Sequence, residues 1–241
     1  MERFLAGKVS VVTGGTRGIG RAIVTALAAA GSRVVLCGRG AEAVEEAVRE
    51  LQAAAVGDIA GTSADVRNRE EVRALFEFAD RTFGAPDILI NNAGIGVFSP
   101  VADLSIEDWH RVIDTNLTGV FHCCQEALAR FKQKGGGFII NISSLAAKNP
   151  FTGGGVYNAS KFGLNGFTEA MMLDHRYDRV RVSTIMPGSV ETGFSARSGG
   201  AKADWKIAAE DVAEIVIAVL RMPERTLISR VEVRPSRPVK G

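Results

Sequence analysis

Seven short runs rich in aliphatic and β-branched residues punctuate the chain, at Val9 to Thr13, Arg33 to Cys37, Ile59 to Thr62, Ile88 to Asn91, Phe138 to Ile142, Val180 to Met186 and Leu227 to Val233. Most are continuously apolar rather than alternating, as strands are when helices cover both faces of a parallel sheet. Between them lie segments of helical periodicity at Ile19 to Ala30, Ala41 to Ala54, Glu70 to Phe83, Ile106 to Gln133, Tyr157 to Tyr177 and Glu210 to Met222. Asn68 with Glu71, and Ser105 with Asp108, read as N-caps with an acid three residues on. Gly135 to Gly137 and Gly199-Gly200 read as turns. This strand and helix alternation predicts an α/β, doubly wound, mostly parallel seven-stranded sheet with helices on both faces and right-handed crossovers. No repeat or Pro/Ser-rich linker divides it, so residues 1–241 are expected to form a single domain.

Composition narrows the class. Hydrophobic content of 46% and charged content of 23% are those of an ordinary globular protein. The net charge is +2 with a pI near 8.5, and the basic residues are scattered rather than gathered into a stripe, so no nucleic-acid partner is expected. Cys37, Cys123 and Cys124 give neither an even disulfide framework nor a Cys-x-x-Cys clamp and suit a reducing compartment. Met1 to Gly7 hold no apolar leader, and Glu214 interrupts Val212 to Leu220 well short of a membrane span. A soluble, cytoplasmic protein without a membrane partner is expected. His110, His122 and His175 lack the spacing of a metal site, so no metal is expected. Asp174-His175 has no Gly-x-Ser-x-Gly elbow to serve as a hydrolase.

The first strand runs into a glycine-rich stretch holding Gly14, Thr16, Arg17, Gly18, Ile19 and Gly20, where a helix begins. Glycines there let backbone N–H groups approach a pyrophosphate resting on the positive end of the helix. The spacing is Gly-x-x-x-Gly-x-Gly, and such a pattern is weak by itself. An NAD site places a ribose-binding carboxylate at the end of the second strand, but here the chain reads Cys37-Gly38-Arg39. Arg39, with Arg17 in the loop, presents guanidinium forks that match a 2′-phosphate, so the expected cofactor is NADP(H).

Tyr157 is followed four residues later by Lys161, and Ser144 stands thirteen residues before it. Positions i and i+4 of a helix share a face. With 2 Tyr and 8 Lys in 241 residues, a Tyr-x-x-x-Lys arises by chance roughly 7% of the time, so the pair alone is a hypothesis. Tyr177 is an internal control: Arg181 lies four residues on and Leu164 thirteen before, and arginine does not exchange a proton near neutral pH. Tyr157 and Lys161 are therefore read as an acid/base pair.

Taken together, Thr13 to Gly20, Asn91-Asn92-Ala93-Gly94, Asn116, Ser144 and Tyr157 to Lys161 resemble the short-chain dehydrogenase/reductase family in order and spacing, over Lys8 to Thr192. The resemblance implies a Rossmann fold and an NADP(H)-dependent oxidoreductase that reduces a ketone, aldehyde or 3-oxoacyl group to an alcohol. It puts Asn91, Ala93 and Gly94 in the turn along the adenosine, Asp65 and Val66 at the adenine, and Pro187, Gly188, Val190 and Thr192 around the nicotinamide carboxamide. It gives Asn116 a water leading from Lys161 to solvent, Ser144 the substrate carbonyl, Tyr157 the proton exchanged with it and Lys161 the nicotinamide ribose. Hydride reduction of a carbonyl creates an alkoxide, which needs a proton and a second hydrogen-bond donor; Tyr157 would supply the first and Ser144 the second, and the adjacent ammonium with the positive nicotinamide is expected to favour phenolate over a phenol that titrates near 10 in water. It also implies a homodimer or homotetramer in which the helices near Ile106 to Gln133 and Tyr157 to Tyr177 pair across a two-fold axis. The Gly, Ser and Ala-rich segment at about 192–205 reads as a mobile substrate lid. Phe151 and Phe194 are candidate pocket walls, with core packing the alternative for each. Members that reduce 3-oxoacyl thioesters end in a Val-Asp-Gly-Gly turn, whereas this chain reads Val231-Glu232-Val233-Arg234-Pro235. A non-catalytic NADP(H)-binding regulator on the same fold is the alternative function; the intact Asn116, Ser144, Tyr157 and Lys161 favour the enzyme.

Overall fold

Two apolar layers sandwich one sheet, and the strand sequences explain why. In the computed structural model, which describes residues 3–54, 56–192 and 204–238, the strands are β1 (Val9–Thr13), β2 (Arg33–Gly38), β3 (Ile59–Ser63), β4 (Ile88–Asn91), β5 (Gly137–Ile142), β6 (Val180–Pro187) and β7 (Arg230–Val233). Val12, Leu36, Ile90 and Ile140 face one layer, with Ile23, Leu27 and Val216. Their neighbours Val11, Val35, Leu89 and Ile139 face the other, with Phe76, Phe131 and Leu164. Side chains alternate across a strand, so a strand covered on both faces is apolar at most positions, and its buried polar residues, such as Ser10, Asn141 and Ser183, are hydrogen-bonded.

The helices are α1 (Gly18–Ala29), α2 (Ala41–Ala53), α3 (Arg69–Thr82), α4 (Ile106–Ile113), α5 (Gly119–Lys134), α6 (Gly155–His175) and α7 (Ala209–Leu220). The strand order is β3-β2-β1-β4-β5-β6-β7, and every neighbouring pair is parallel. Strand order reverses between β1 and β4, which is where a ligand crevice opens at the carboxyl ends of such a sheet. Asn68 Oδ1 accepts from the backbone N–H groups of Glu70 and Glu71 (3.0 and 3.4 Å), and Ser105 Oγ accepts from Asp108 N–H (3.1 Å). Both expected N-caps are therefore in place.

Two elements differ from expectation. The helix expected over Ile106 to Gln133 is interrupted by a widened π turn at Asp114–Thr118. Within it Asn116 reaches across to the chain after β4, its side chain binding both the N–H and the C=O of Ile95 (2.8 and 2.9 Å). Widened turns of this kind often mark functional positions. The last strand, expected from Leu227, pairs only from Arg230. The Ser183 hydroxyl, not a backbone N–H, takes the Ile228 carbonyl at 2.7 Å, so the regular ladder starts later. Among the described residues, no helix is long and apolar enough to cross a membrane.

Candidate active site

The turn between β1 and α1 is held open by glycine and stitched to β4. Gly18 sits at φ +54°, a left-handed conformation that suits glycine. A Cβ at Gly20 would lie 2.1 Å from the Gly14 carbonyl oxygen and 2.5 Å from Asn92 Nδ2. Asn92 Nδ2 donates to the carbonyls of Thr13 and Gly14 (3.0 Å each), while Thr13 Oγ1 accepts from the N–H groups of Asn92 and Ala93 (3.1 and 3.0 Å). Gly20→Ala is expected to cost on the order of 1–3 kcal/mol by overpacking, read as a lowered Tm.

At the head of α1 the N-cap residue Arg17 makes no side-chain cap, and the first turn carries no acid. Its backbone N–H groups and the positive end of its dipole are thus available to an anion. Beside it lies a cleft of about 220 Å³ lined by Arg17, Arg39, Arg111 and the stretch Gly94 to Val97. No acid is in that lining. Arg111 is paired with Asp108 at 2.6 Å, whereas among the described residues neither Arg17 nor Arg39 has a carboxylate within ion-pair distance.

The second cluster lies where β5, the π turn and α6 converge. Ser144 ends β5's connection as the cap of a short 3-10 turn, its Oγ accepting from Ala146 N–H at 3.1 Å, and it is hydrogen-bonded to Tyr157. One turn along α6, Lys161 is 5% exposed and its Nζ donates to the Ile142 carbonyl at 3.0 Å. That ammonium lies 5.9 Å from the centre of the Tyr157 ring. The fully buried Asn116 donates to Ser160 Oγ at 3.0 Å. A Cβ at Gly94 would stand 3.3 Å from Asn116 Oδ1 and 3.8 Å from Lys161 Nζ, so these groups share one corner.

Burial governs the titration here. It raises the Tyr157 phenol above its usual value, with the Ser144 hydrogen bond offsetting part of the rise. It also pushes the Lys161 ammonium down to about 8. The expectation of a favoured phenolate joins Lys161 to a positive nicotinamide; in the protein alone burial dominates and raises the phenol, while the lysine gives its hydrogen bond to Ile142.

The short chain dehydrogenase family profile matches residues 8–202. The chain belongs to the short chain dehydrogenase family. An uncharacterized oxidoreductase of Staphylococcus aureus (strain USA300) is 33% identical over 231 residues, covering 96% of this chain and 98% of that one. The structure of a metagenomic short-chain oxidoreductase in complex with NADP matches with a TM-score of 0.84 and 34% identity, covering 97% of this chain and 99% of that chain. A variant of actinorhodin polyketide ketoreductase with NADPH matches with a TM-score of 0.87 and 31% identity, covering 95% and 96%.

In this short chain dehydrogenase the other expected positions fall as follows. Thr16 packs near Gly38 and Ile19 enters α1 behind the loop. The Asp65 carboxylate is gripped by Arg67 Nε at 2.9 Å and held below its usual range by it. The Val66 carbonyl meets His122 Nδ1 at 3.2 Å. The Asn91 side chain points inward, to Asn141 Oδ1 (2.8 Å) and Cys124 Sγ (3.3 Å), so Asn91 offers the turn only its backbone. Pro187 ends β6, Gly188 N–H donates to Val233 (2.8 Å) and Val190 bridges to Ile207. Thr192 Cγ2 lies 3.2 Å from where a Cβ at Gly18 would be, which brings the segment after β6 to the glycine loop. Phe151 is 46% exposed rather than in the core. Phe194 and residues 193–203 of the expected lid lie outside the described residues.

Four residues beside these groups carried no role in the sequence expectations: Thr13 and Asn92, which stitch the loop, Arg111 in the cleft, and Phe98, whose ring packs against that of Tyr157. The first two stood inside quoted motifs; the last two carry no local signal. The three cysteines are free and buried, and burial pushes the Cys37 and Cys124 thiols up to about 12, which makes them poor nucleophiles. Among the described residues no group of three or more ligating side chains could hold a metal.

Proposed function

We propose that this oxidoreductase uses NADP(H) to reduce a carbonyl (a ketone, aldehyde or 3-oxoacyl group) to an alcohol, reversibly, with Tyr157 as the general acid/base. The observation that carries this reading is the shared corner of Ser144, Tyr157, Lys161 and Asn116 beside an arginine-lined, glycine-floored cleft. The residues present fit the nucleotide. Gly14, Gly18 and Gly20 let the turn pack tightly against Ala93, Asn92 and Thr192, which leaves the uncapped head of α1 to receive a pyrophosphate, and Arg17 and Arg39 suit a 2′-phosphate through paired hydrogen bonds. The NADP and NADPH complexes among the structural relatives support the same cofactor.

Bound NADPH supplies the hydride. Ser144 holds the carbonyl oxygen and Tyr157 gives it the proton, so that carbonyl, NADPH and one proton become alcohol and NADP+. Lys161 has three N–H donors; one is used on Ile142, and the others would hold the nicotinamide ribose. Asn116 fixes the Ile95 backbone at the floor of the site. A phenol raised by burial keeps its proton at neutral pH, as reduction requires. Alcohol oxidation needs the phenolate and is expected to quicken as pH rises, checked by initial rates in both directions across pH 6–10.

Following NADPH absorbance against a panel of carbonyl compounds tests the reaction class. Turnover supports the reductase, while tight NADPH binding with no turnover would favour a regulator. For the cofactor, Arg39→Asp is expected to weaken NADPH about 10–100-fold and to favour NADH, since a carboxylate repels the 2′-phosphate and accepts from a 2′-hydroxyl. Fluorescence titration with both nucleotides checks this. Equal wild-type affinity for the two would remove the role given to the arginines.

A further inference from the structure

We propose that the carbonyl compound accepted by this site carries an uncharged aromatic ring beside its reacting carbon, received by a wall of Phe98 and Phe151 that extends outward from Tyr157. This rests on the carbonyl-reductase reading of the same site. The Phe98 ring stands edge-on to Tyr157, with centroids 5.5 Å apart and planes at 70°. Phe151 stands 5.7 Å from Phe98 at 49° and is half exposed. An exposed phenylalanine alone is ordinary. Here a continuous series of ring contacts runs from open surface to the side chain that carries the proton.

The wall is built rather than draped. Ser99 N–H donates to the Gly153 carbonyl at 2.8 Å, tying the segment after β4 to the one before α6. Asn158 Nδ2 donates to the Ala146 carbonyl at 2.7 Å, tying α6 to the turn that presents Ser144. A Cβ at Gly154 would meet the Phe151 ring at 2.8 Å and Asn158 Oδ1 at 2.2 Å, so bare backbone there lets that ring lie back against the loop.

The two segments that carry the rings hold no charge. Residues 95–101 and 149–156 together contain no Asp, Glu, Lys, Arg or His, in a chain that is 23% charged. A carboxylate or phosphate on the substrate would lose water against two phenyl faces with no cation in either segment to receive it; the cations that line the adjoining cleft with Gly94 to Val97 are Arg17 and Arg39, given above to the nucleotide, and Arg111, paired with Asp108. A third ring would instead continue the edge and offset contacts that aromatic side chains favour at such spacings and would bury apolar area as well.

Steady-state NADPH consumption with acetophenone, butan-2-one and acetoacetate tests the assignment. Wild type is expected to favour acetophenone over the other two by about tenfold or more in kcat/KM, and Phe98→Ala to collapse that ratio toward one. Phe98→Leu, which keeps an apolar side chain of similar reach, is expected to lose the ratio too and guards against misfolding of the alanine variant. A wild-type preference for acetoacetate or butan-2-one, or an acetophenone ratio unchanged in a folded Phe98→Leu, would overturn the proposal. If wild type reduces no carbonyl, the reductase reading falls. Affinity for acetophenone and butan-2-one in Tyr157→Phe loaded with NADPH then decides the wall by itself: about tenfold tighter binding of the aryl ketone upholds it, and equal binding overturns it.

Discussion

Tyr157→Phe is expected to lower kcat for carbonyl reduction by about 10³-fold, the usual worth of a positioned proton donor, with little change in NADPH affinity. The substitution removes one oxygen and nothing else. The ring remains to meet Phe98, and the Ser144 hydroxyl keeps its bond from Ala146 N–H. Stability should move by no more than about 1 kcal/mol, because a lost hydrogen bond is offset by one fewer buried hydroxyl. The measurements are kcat at saturating NADPH, the NADPH dissociation constant by fluorescence titration, and Tm. Loss of nucleotide binding in parallel with kcat would assign Tyr157 a structural role instead. A fall of less than tenfold would mean that the proton comes from another group.

Lys161→Met is expected to stabilise the protein at pH 7 while abolishing turnover. Burial holds the lysine at about 8 in the folded chain, below its ordinary value of 10.5. The unfolded chain therefore binds a proton that the folded chain does not across roughly pH 8 to 10.5, and stability rises with pH through that window. Below it the buried ammonium costs the fold on the order of 3 kcal/mol, less about 1 kcal/mol for the bond to Ile142 that methionine does not replace. Methionine keeps the stem in place without the charge. Melts at pH 7 should put the variant above wild type by several degrees, since each kcal/mol moves Tm by about 2–4 °C in a protein of this size. At pH 10 the gap should close. A variant less stable than wild type at pH 7 would mean that the buried charge is fully compensated where it lies.

Much of this architecture was legible because strands buried on both faces leave little choice of residue. Val11 and Val12, or Leu89 and Ile90, are apolar because successive side chains enter different layers, and β1 and β4 begin and end where the expected runs do. The π turn was not legible. Val112, Val120, Cys123 and Ala127 keep a helical rhythm across it, while the bonds Asn116 makes from it reach Ile95, twenty-one residues away. Phe98 and Arg111 were missed for the same reason: they gain meaning only when the turn after β4 and the helix α4 are folded against α6 and the glycine loop. The motifs named Ser144, Tyr157 and Lys161, which the fold brings together, but the shift expected of Tyr157 counted the cations and left out the burial that raises the phenol in the protein alone. Sequence spacing displays the cation a helical turn away and hides the solvent that the fold removes.

The origin of the new hydrogen in the product tests the central claim most directly. NADPH carrying deuterium at both C4 positions of the nicotinamide, incubated with wild type and the carbonyl panel, is expected to yield an alcohol with one deuterium on its carbinol carbon, and Tyr157→Phe to yield almost none of that alcohol. Unlabelled alcohol, or tightly bound NADPH with no alcohol formed from any carbonyl, would contradict it.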